Sequence, residues 1–247
     1  MTRTVLISGG GTGIGRAVAR RFALSGADVV IIGRREQVVV ATASDLNQEV
    51  GRPAVRAVAA NLSRAADVER VAGTAVRDAV IDVIVNNAGG VGSGPVAGLG
   101  DVEADWETEF RRNVLTAVLL TNALEPRLRR PGASIINVSS IAALAGGGDS
   151  YSAAKAAVIG WTLDLATRLG SEGIRANAVV PGYIADTEFF GDRMTEERHE
   201  RLVARTLLDR AGRPEDVAGG VFFLASDDAA YITGQLLQMN GGALLGR

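Results

Sequence analysis

The chain has 247 residues, one His, no Cys and a formal net charge of −2. Without Cys there is no disulfide, no thiolate metal site and no Cys nucleophile, and His199 alone does not supply a His-rich metal centre, so no metal is expected. The near-zero charge lacks the basic face of a nucleic-acid binder, and 47% apolar with 22% charged residues describes an ordinary globular chain. Met1-Thr2-Arg3 leads into only a short apolar run, and no run approaches the ~18 residues of a membrane span. The expectation is a cytoplasmic protein with no leader and no membrane segment. The apolar runs Thr4–Ile7, Val29–Ile32, Val55–Ala59, Val83–Val85, Ser134–Val138, Arg175–Val180 and Gln235–Met239 read as strands buried on both faces. Amphipathic stretches of about 12–20 residues separate them, which gives βαβ units and a parallel sheet. The reading is α/β: one doubly wound domain over residues 1–247, with a seven-stranded parallel sheet and helices on both faces. Residues 186–213 carry six Arg and several acids. They read as a helical insertion over the carboxyl edge, a lid, with a solvated surface helix as the plainer alternative.

The first strand runs directly into Ser8-Gly9-Gly10-Gly11-Thr12-Gly13-Ile14-Gly15, after which Ile14, Val18 and Phe22 recur on one helical face. A Gly-rich turn at a helix N-terminus offers free N–H groups and the dipole to a phosphate, and Gly lets the backbone come close. The pattern fits G-x-x-x-G-x-G at Gly9, Gly13 and Gly15 rather than the strict G-x-G-x-x-G fingerprint. A Gly-rich turn alone is weak; strand before and helix after make this a Rossmann-type phosphate loop. NAD binders carry an acid at the end of the second strand for the ribose 2′-OH. Here that place holds Gly33-Arg34-Arg35, and Asp28 lies at the wrong end of the strand. Gly33 leaves room for a 2′-phosphate and Arg34 can pair with it, with Arg16 assisting, so NADP(H) is preferred and NAD(H) is the alternative.

Tyr151-Ser152-Ala153-Ala154-Lys155 opens a helix that runs to about Gly170. At i and i+4 the phenol and the ammonium share a face, and the Lys is expected to lower the Tyr pKa toward neutrality. Asn137-Val138-Ser139-Ser140 and Asn86-Asn87-Ala88-Gly89 end two strands at the same carboxyl edge.

With Asn113 in Arg112-Asn113-Val114, Pro181-Gly182, and the tail Ile232-Thr233-Gly234-Gln235 to Asn240-Gly241-Gly242, this ordered set spans nearly the whole chain. It resembles the short-chain dehydrogenase/reductase family in its single-domain branch, near the 3-oxoacyl-(acyl-carrier-protein) reductases and similar ketoreductases. The resemblance implies reduction of a ketone or 3-oxoacyl carbonyl to a secondary alcohol. Ser140 would bond the carbonyl, Tyr151 would donate the proton, Lys155 would lower the Tyr pKa and hold the ribose, and Asn113 would support a water relay. The cofactor would lie on Ser8, Gly9, Gly11, Thr12, Gly13, Ile14, Gly15, Arg34, Asn61, Leu62, Asn87, Ala88, Gly89, Tyr151, Lys155, Pro181, Gly182, Ile184 and Thr187. The chain departs from the family pattern in places. Ser8 stands for Thr, and Asn61 stands for an adenine-binding Asp. The loop between Ser140 and Tyr151 looks short, which leaves Ser139 as the alternative to Ser140, and one extra residue precedes Thr187. The rival readings are an NAD-dependent alcohol dehydrogenase and a non-catalytic dinucleotide sensor. The loops Val91–Asp101 and Ala142–Ser150 and the segment after Gly182, which line the pocket in relatives, look small and apolar and name no ligand.

Two surfaces bear on partners. The helix after Tyr151 and residues 114–124 are apolar nearly all round, which predicts burial between subunits in a homo-oligomer, a tetramer by the family resemblance. Glu172 stands where carrier-dependent relatives have an Arg that helps dock an acidic carrier protein. Arg127, Arg129 and Arg130 form a basic cluster that could compensate in part. The expectation is a small-molecule carbonyl or alcohol substrate and poor use of an acyl carrier.

Overall fold

The computed structural model describes residues 2–92 and 97–246, with only the backbone of Asp192. Seven strands form one parallel sheet: β1 (Thr4–Ser8), β2 (Asp28–Gly33), β3 (Val55–Ala59), β4 (Val83–Asn86), β5 (Ser134–Val138), β6 (Arg175–Pro181) and β7 (Leu236–Met239). Their order is β3-β2-β1-β4-β5-β6-β7. The order reverses beside β1, where Leu6 lies between Val30 of β2 and Ile84 of β4. Open α/β sheets bind ligands outside the carboxyl ends at such a reversal. All seven expected strands are present, and the differences are at their ends. Polar or small residues beyond the apolar runs, Gly33 and Asn86 among them, continue the ladder.

The helices are α1 (Gly13–Leu24), α2 (Glu36–Val50), α3 (Ala65–Thr74), α4 (Leu99–Phe110), α5 (Thr116–Leu124), α6 (Ala142–Ala145), α7 (Ser150–Leu169), α8 (Glu196–Val203) and α9 (Pro214–Ala225). One apolar core joins the sheet to α1, α2 and α9 through Phe22, Leu46 and Val221. The other joins it to α3, α5 and α7 through Val71, Leu120 and Leu165. No described helix is long and apolar enough to cross a membrane.

A polar network threads the second core. Asn86 Nδ2 donates to Thr121 Oγ1 (2.9 Å) and Asn137 Oδ1 (2.8 Å), and Asn137 Nδ2 donates to Thr162 Oγ1 (2.8 Å). It ties β4 and β5 to α5 and α7 at fixed height. Buried polar groups are normally paired, and apart from Asn86 Oδ1, which has no partner among the described residues, the network bonds across elements and sets register as apolar contacts alone do not.

The segment 186–213 is less helical than expected. Only α8 and a 3₁₀ turn at Gly191–Arg193 are regular, and α8 buries no residue. The excursion starts and ends at one place, because Ile184 bridges Gly212 through Gly212 N–H to Tyr183 O (3.0 Å) and Ala185 N–H to Gly212 O (2.9 Å). Between these pinned ends, Phe189 and Phe190 pack toward the cleft rather than into a helix face.

Candidate active site

A cleft of about 1170 Å³ opens along the carboxyl edge, from the phosphate loop past β4 and β5 to the 186–213 excursion. It exceeds the roughly 300–1,000 Å³ of a pocket for one drug-sized ligand, as a dinucleotide with a substrate beside it requires.

The glycine loop is built from the inside. Ser8 Oγ accepts from the backbone N–H of Asn87 (3.0 Å) and Ala88 (2.9 Å), while Asn87 Nδ2 donates to Ser8 O and Gly9 O, both at 3.1 Å. This cross-tie holds the loop against the turn after β4. A Cβ on Gly15 would lie 2.1 Å from Gly9 O, so the first turn of α1 can approach the loop only with glycine there. Thr12 at the N-cap makes no side-chain cap, which leaves the first N–H groups of α1 pointing into the cleft mouth. Gly9, Gly11, Thr12, Gly13 and Ile14 line the cleft; Ser8 and Gly15 stand behind it as supports.

At the end of β2, Arg34 lines the cleft and is exposed. Asp28 is at the other edge, paired with Arg52 at 2.9 Å. Arg16 is exposed on α1, outside the cleft lining. Arg35 reaches across to Glu188 (2.6 Å), joining the β2 loop to the excursion. Asn61 and Leu62 line the cleft as expected, but Asn61 Oδ1 already accepts from Ser63 Oγ (2.8 Å) and Ser63 N–H (3.2 Å). Its carbonyl is therefore engaged in a local turn and is not a free acceptor for an adenine amino group. Thr187 packs beside Gly13, with its Cγ2 3.2 Å from where a Gly13 Cβ would stand.

Ser139 and Ser140 separate clearly. Ser139 is buried and its Oγ donates to Lys155 O (2.8 Å), which seats α7 on β5. Ser140 lines the cleft beside the Tyr151 phenol, and its hydroxyl favours the phenolate while accepting from Ala142 N–H (3.2 Å). Tyr151 and Lys155 share one face of α7 and are both buried. Lys155 Nζ donates to Val138 O (2.9 Å) and lies 5.8 Å from the Tyr151 ring centroid. The expected lowering of the phenol pKa does not occur here. Burial pushes Tyr151 up to about 12, helped by the charge of Glu109 and opposed by Ser140. Burial also pulls Lys155 down to about 8, with Glu109 opposing. Desolvation is the largest cause, and Lys155 makes its near contact with the Val138 carbonyl rather than with the phenol.

Asn113 stands behind the cleft lining, inside a π-helical turn at Arg111–Leu115 between α4 and α5. Such turns are concentrated at functional sites. The Asn113 Oδ1 accepts from Gly90 N–H (3.0 Å), and Nδ2 donates to Gly90 O (2.8 Å) and Glu109 Oε2 (2.7 Å). A Cβ on Gly89 would lie 2.6 Å from Asn113 Oδ1 and 3.1 Å from Lys155 Nζ, so glycine is what lets the amide and the ammonium meet there. Pro181, Gly182 and Ile184 line the same cleft, as do Asn87, Ala88 and Gly89.

The sequence reading missed Phe189 and Glu109. Phe189 packs on the Tyr151 ring with centroids 5.6 Å apart. Phe189, Phe190, Leu202, Arg193 and Arg198 also line the cleft, so its substrate end is neither small nor uniformly apolar. The pinned excursion brings Phe189 over α7.

Comparison with known proteins agrees with this geometry. The family model described as Enoyl-(Acyl carrier protein) reductase matches residues 9–243. The chain is 35% identical to the 3-oxoacyl-(acyl-carrier-protein) reductase FabG of Chlamydia trachomatis, covering 98% of this chain and 97% of that one. It is 36% identical to human dehydrogenase/reductase SDR family member 4, over 97% of this chain and 87% of the relative. Among solved structures, a blue fluorescent protein from a metagenomic library, in complex with NADPH, superposes with a TM-score of 0.87 at 35% identity, covering 98% of each chain. The chain belongs to the short-chain dehydrogenase/reductase family, whose members are NAD(P)-dependent oxidoreductases acting on CH–OH donors.

Proposed function

We propose that this chain is an NADP(H)-dependent reductase that converts a ketone or 3-oxoacyl carbonyl to a secondary alcohol. The observation that carries the reading is the Tyr151 phenol, buried, protonated and flanked by Ser140, on the same helix face as Lys155 and in one cleft with the glycine loop. The residues fit a dinucleotide: Gly9, Gly11 and Gly13 line the cleft without side chains, Gly15 lets α1 close up behind them, and the uncapped start of α1 suits a phosphate. Two similarities support the cofactor choice, the NADPH of one structural neighbour and the reductase name of one relative. So does the end of β2, where Arg34 stands and no acid does.

When bound, a reduced nicotinamide supplies the hydride. Tyr151 supplies the proton to the carbonyl oxygen, and Ser140 holds that oxygen beside it, a donor pair facing the developing charge. A phenol held at about 12 is in its acid form at neutral pH, the form that reduction needs. The Lys155 charge stabilises the phenolate left behind. Asn113 orders the amide network next to Lys155, and Phe189 limits water at the phenol. Arg34 is assigned to the 2′-phosphate, and Gly9, Gly11, Thr12, Gly13 and Ile14 to the pyrophosphate. Leu62, Asn87, Ala88, Gly89, Pro181, Gly182, Ile184 and Thr187 are assigned to the remaining cofactor wall. The whole chain acts as one unit, with the excursion around Phe189 as its cover. A ketone panel assayed with NADPH and NADH tests the reading. NADPH-dependent reduction that declines as pH rises through about 8, where Lys155 loses its charge, is expected; no turnover of any ketone would overturn it.

The carrier expectation is sharpened by the surface. Arg130 pairs with Glu172 and Arg129 with the buried Asp82, so these charges cancel within the chain, and of the three only Arg127, held by Ala72 O, keeps an uncompensated charge among the described residues. The face offers little net positive charge to an acidic carrier. We expect kcat/KM on a 3-oxoacyl carrier protein to be no better than on a short thiol mimic at low salt. A carrier preference of about tenfold, roughly 1.4 kcal/mol, that weakens with salt would contradict this.

A homo-oligomer, a tetramer, completes the proposal. The outer face of α7 exposes Ala156, Gly160 and Leu163, and Leu115 is exposed beside α5. These are faces a second subunit can cover closely. Light scattering at micromolar concentration is expected to return a multiple of the 25.6 kDa chain mass, and a monomer would refute it.

A further inference from the structure

Glu109 is a carboxylic acid in the last turn of α4 with 1% of its surface exposed. It stands one helical turn before Asn113 and points inward rather than to solvent. Its Oε2 accepts from Asn113 Nδ2 (2.7 Å), its Oε1 accepts from Arg112 Nη1 (3.2 Å), and the Gly92 N–H also donates to it. Asn113 in turn shares the space over Gly89 with Lys155 Nζ. The ionisable groups acting on Lys155 are therefore Tyr151 on its own helix and Glu109 from α4. The strand β5 offers it only the Val138 carbonyl. Glu109 is itself faced by Arg112 and by Asp105, which is held by Ser150 at the start of α7.

We propose that Glu109 is a positioning residue that completes the acid–base unit, fixing the Asn113 amide and supplying the buried negative charge that keeps Lys155 ionised. An acid buried without purpose is costly, and removing a charge from water needs paired donors to hold it. Here every donor that holds Glu109 belongs to the loop and turn around the proposed proton path. Burial pushes the Glu109 carboxyl up, while Arg112, Gly92 N–H and Asn113 pull it back. Its charge acts to raise Lys155 against the larger effect of burial. Without it the ammonium would be a lone buried cation, and the phenolate formed in the reaction would lose its counter-charge. The inference rests on the proposed roles of Tyr151 and Lys155.

Lys155 is the only lysine in the chain, which makes the test direct. With ε-13C-lysine, the holo-length protein gives a single Lys side-chain resonance whose titration is that of Lys155. The midpoint is expected near 8 in the wild type. In Glu109→Gln, which keeps an acceptor for Asn113 but loses the charge, it should fall by about half a unit or more. The alkaline limb of kcat/KM for ketone reduction should move down with it, and Glu109→Asp should restore the Lys155 midpoint. An unchanged midpoint and pH profile in Glu109→Gln would overturn the proposal. Should that variant not fold, carboxyl-13C glutamate labelling of the wild type decides. Every glutamate is expected to be ionised below the Lys155 midpoint, and one still protonated there would overturn the assignment. If the wild type reduces no ketone, the functional reading fails, and the Lys155 titration still decides the role of Glu109.

Discussion

Tyr151→Phe is expected to lower kcat for carbonyl reduction by about 10²–10⁴-fold, the usual contribution of a positioned general acid. Cofactor affinity should change little. The phenol ring survives in the variant, so its packing on Phe189 is kept. Only the hydroxyl that Ser140 faces is lost, together with the proton it carries. The two quantities are separable by measuring kcat on an active ketone and NADPH binding by fluorescence. A variant that keeps most of its kcat would remove Tyr151 from the proton-transfer role. A variant that loses NADPH binding to the same degree as kcat would show that the hydroxyl serves the cofactor rather than the carbonyl.

Arg34→Ala is expected to weaken NADPH binding by about tenfold while leaving NADH binding unchanged. A charge-assisted hydrogen bond to a phosphate is worth roughly 1.5–3 kcal/mol, and Arg34 is exposed, which places it at the lower end. Arg34 is the cleaner probe of this selectivity. A side chain at Gly33 would meet Val39 Cγ1 at 2.7 Å, and Val39 is a buried, stiff β-branched residue, so Gly33→Asp would mix packing with charge. Arg35 is already paired with Glu188. Dissociation constants for both cofactors decide the matter, and a wild type that binds NADH more tightly than NADPH would contradict the assignment.

What the sequence made legible follows from where each signal is stored. The strands were readable because a parallel sheet covered on both faces is written as continuous apolar runs, such as Val29–Ile32 and Ser134–Val138. Their ends were not, since Ser8 and Asn86 are polar yet lie in the ladder, held by β2 and β5. The glycine loop was readable because its requirement is steric and local. By contrast, the phenol pKa depends on how deeply Tyr151 is buried and on what Lys155 touches, and neither is contained in an i, i+4 spacing. The charge pattern of residues 186–213 suggested a helix, whereas the contacts that shape it, Phe189 on Tyr151 and Ile184 with Gly212, come from distant parts of the chain. Glu109, in Trp106-Glu107-Thr108-Glu109-Phe110, reads as one more surface acid. Its spacing of four residues before Asn113 was the one available signal, and the π-helical turn that holds Asn113 has no sequence signature of its own. Likewise Arg127, Arg129 and Arg130 read as a basic patch until their partners, Asp82 and Glu172 among them, are seen beside them.

The central claim is that this cleft passes a hydride to a carbonyl while Tyr151 protonates its oxygen. The most direct measurement follows the label from NADPH deuterated at the nicotinamide C4 position into the product of an active ketone by mass spectrometry and NMR. One deuterium on the carbinol carbon of the wild-type product is the predicted result, with the same label in the much smaller amount of product formed by Tyr151→Phe. Alcohol formed without deuterium from either C4 face, or cofactor bound with no carbonyl reduced, would contradict the account.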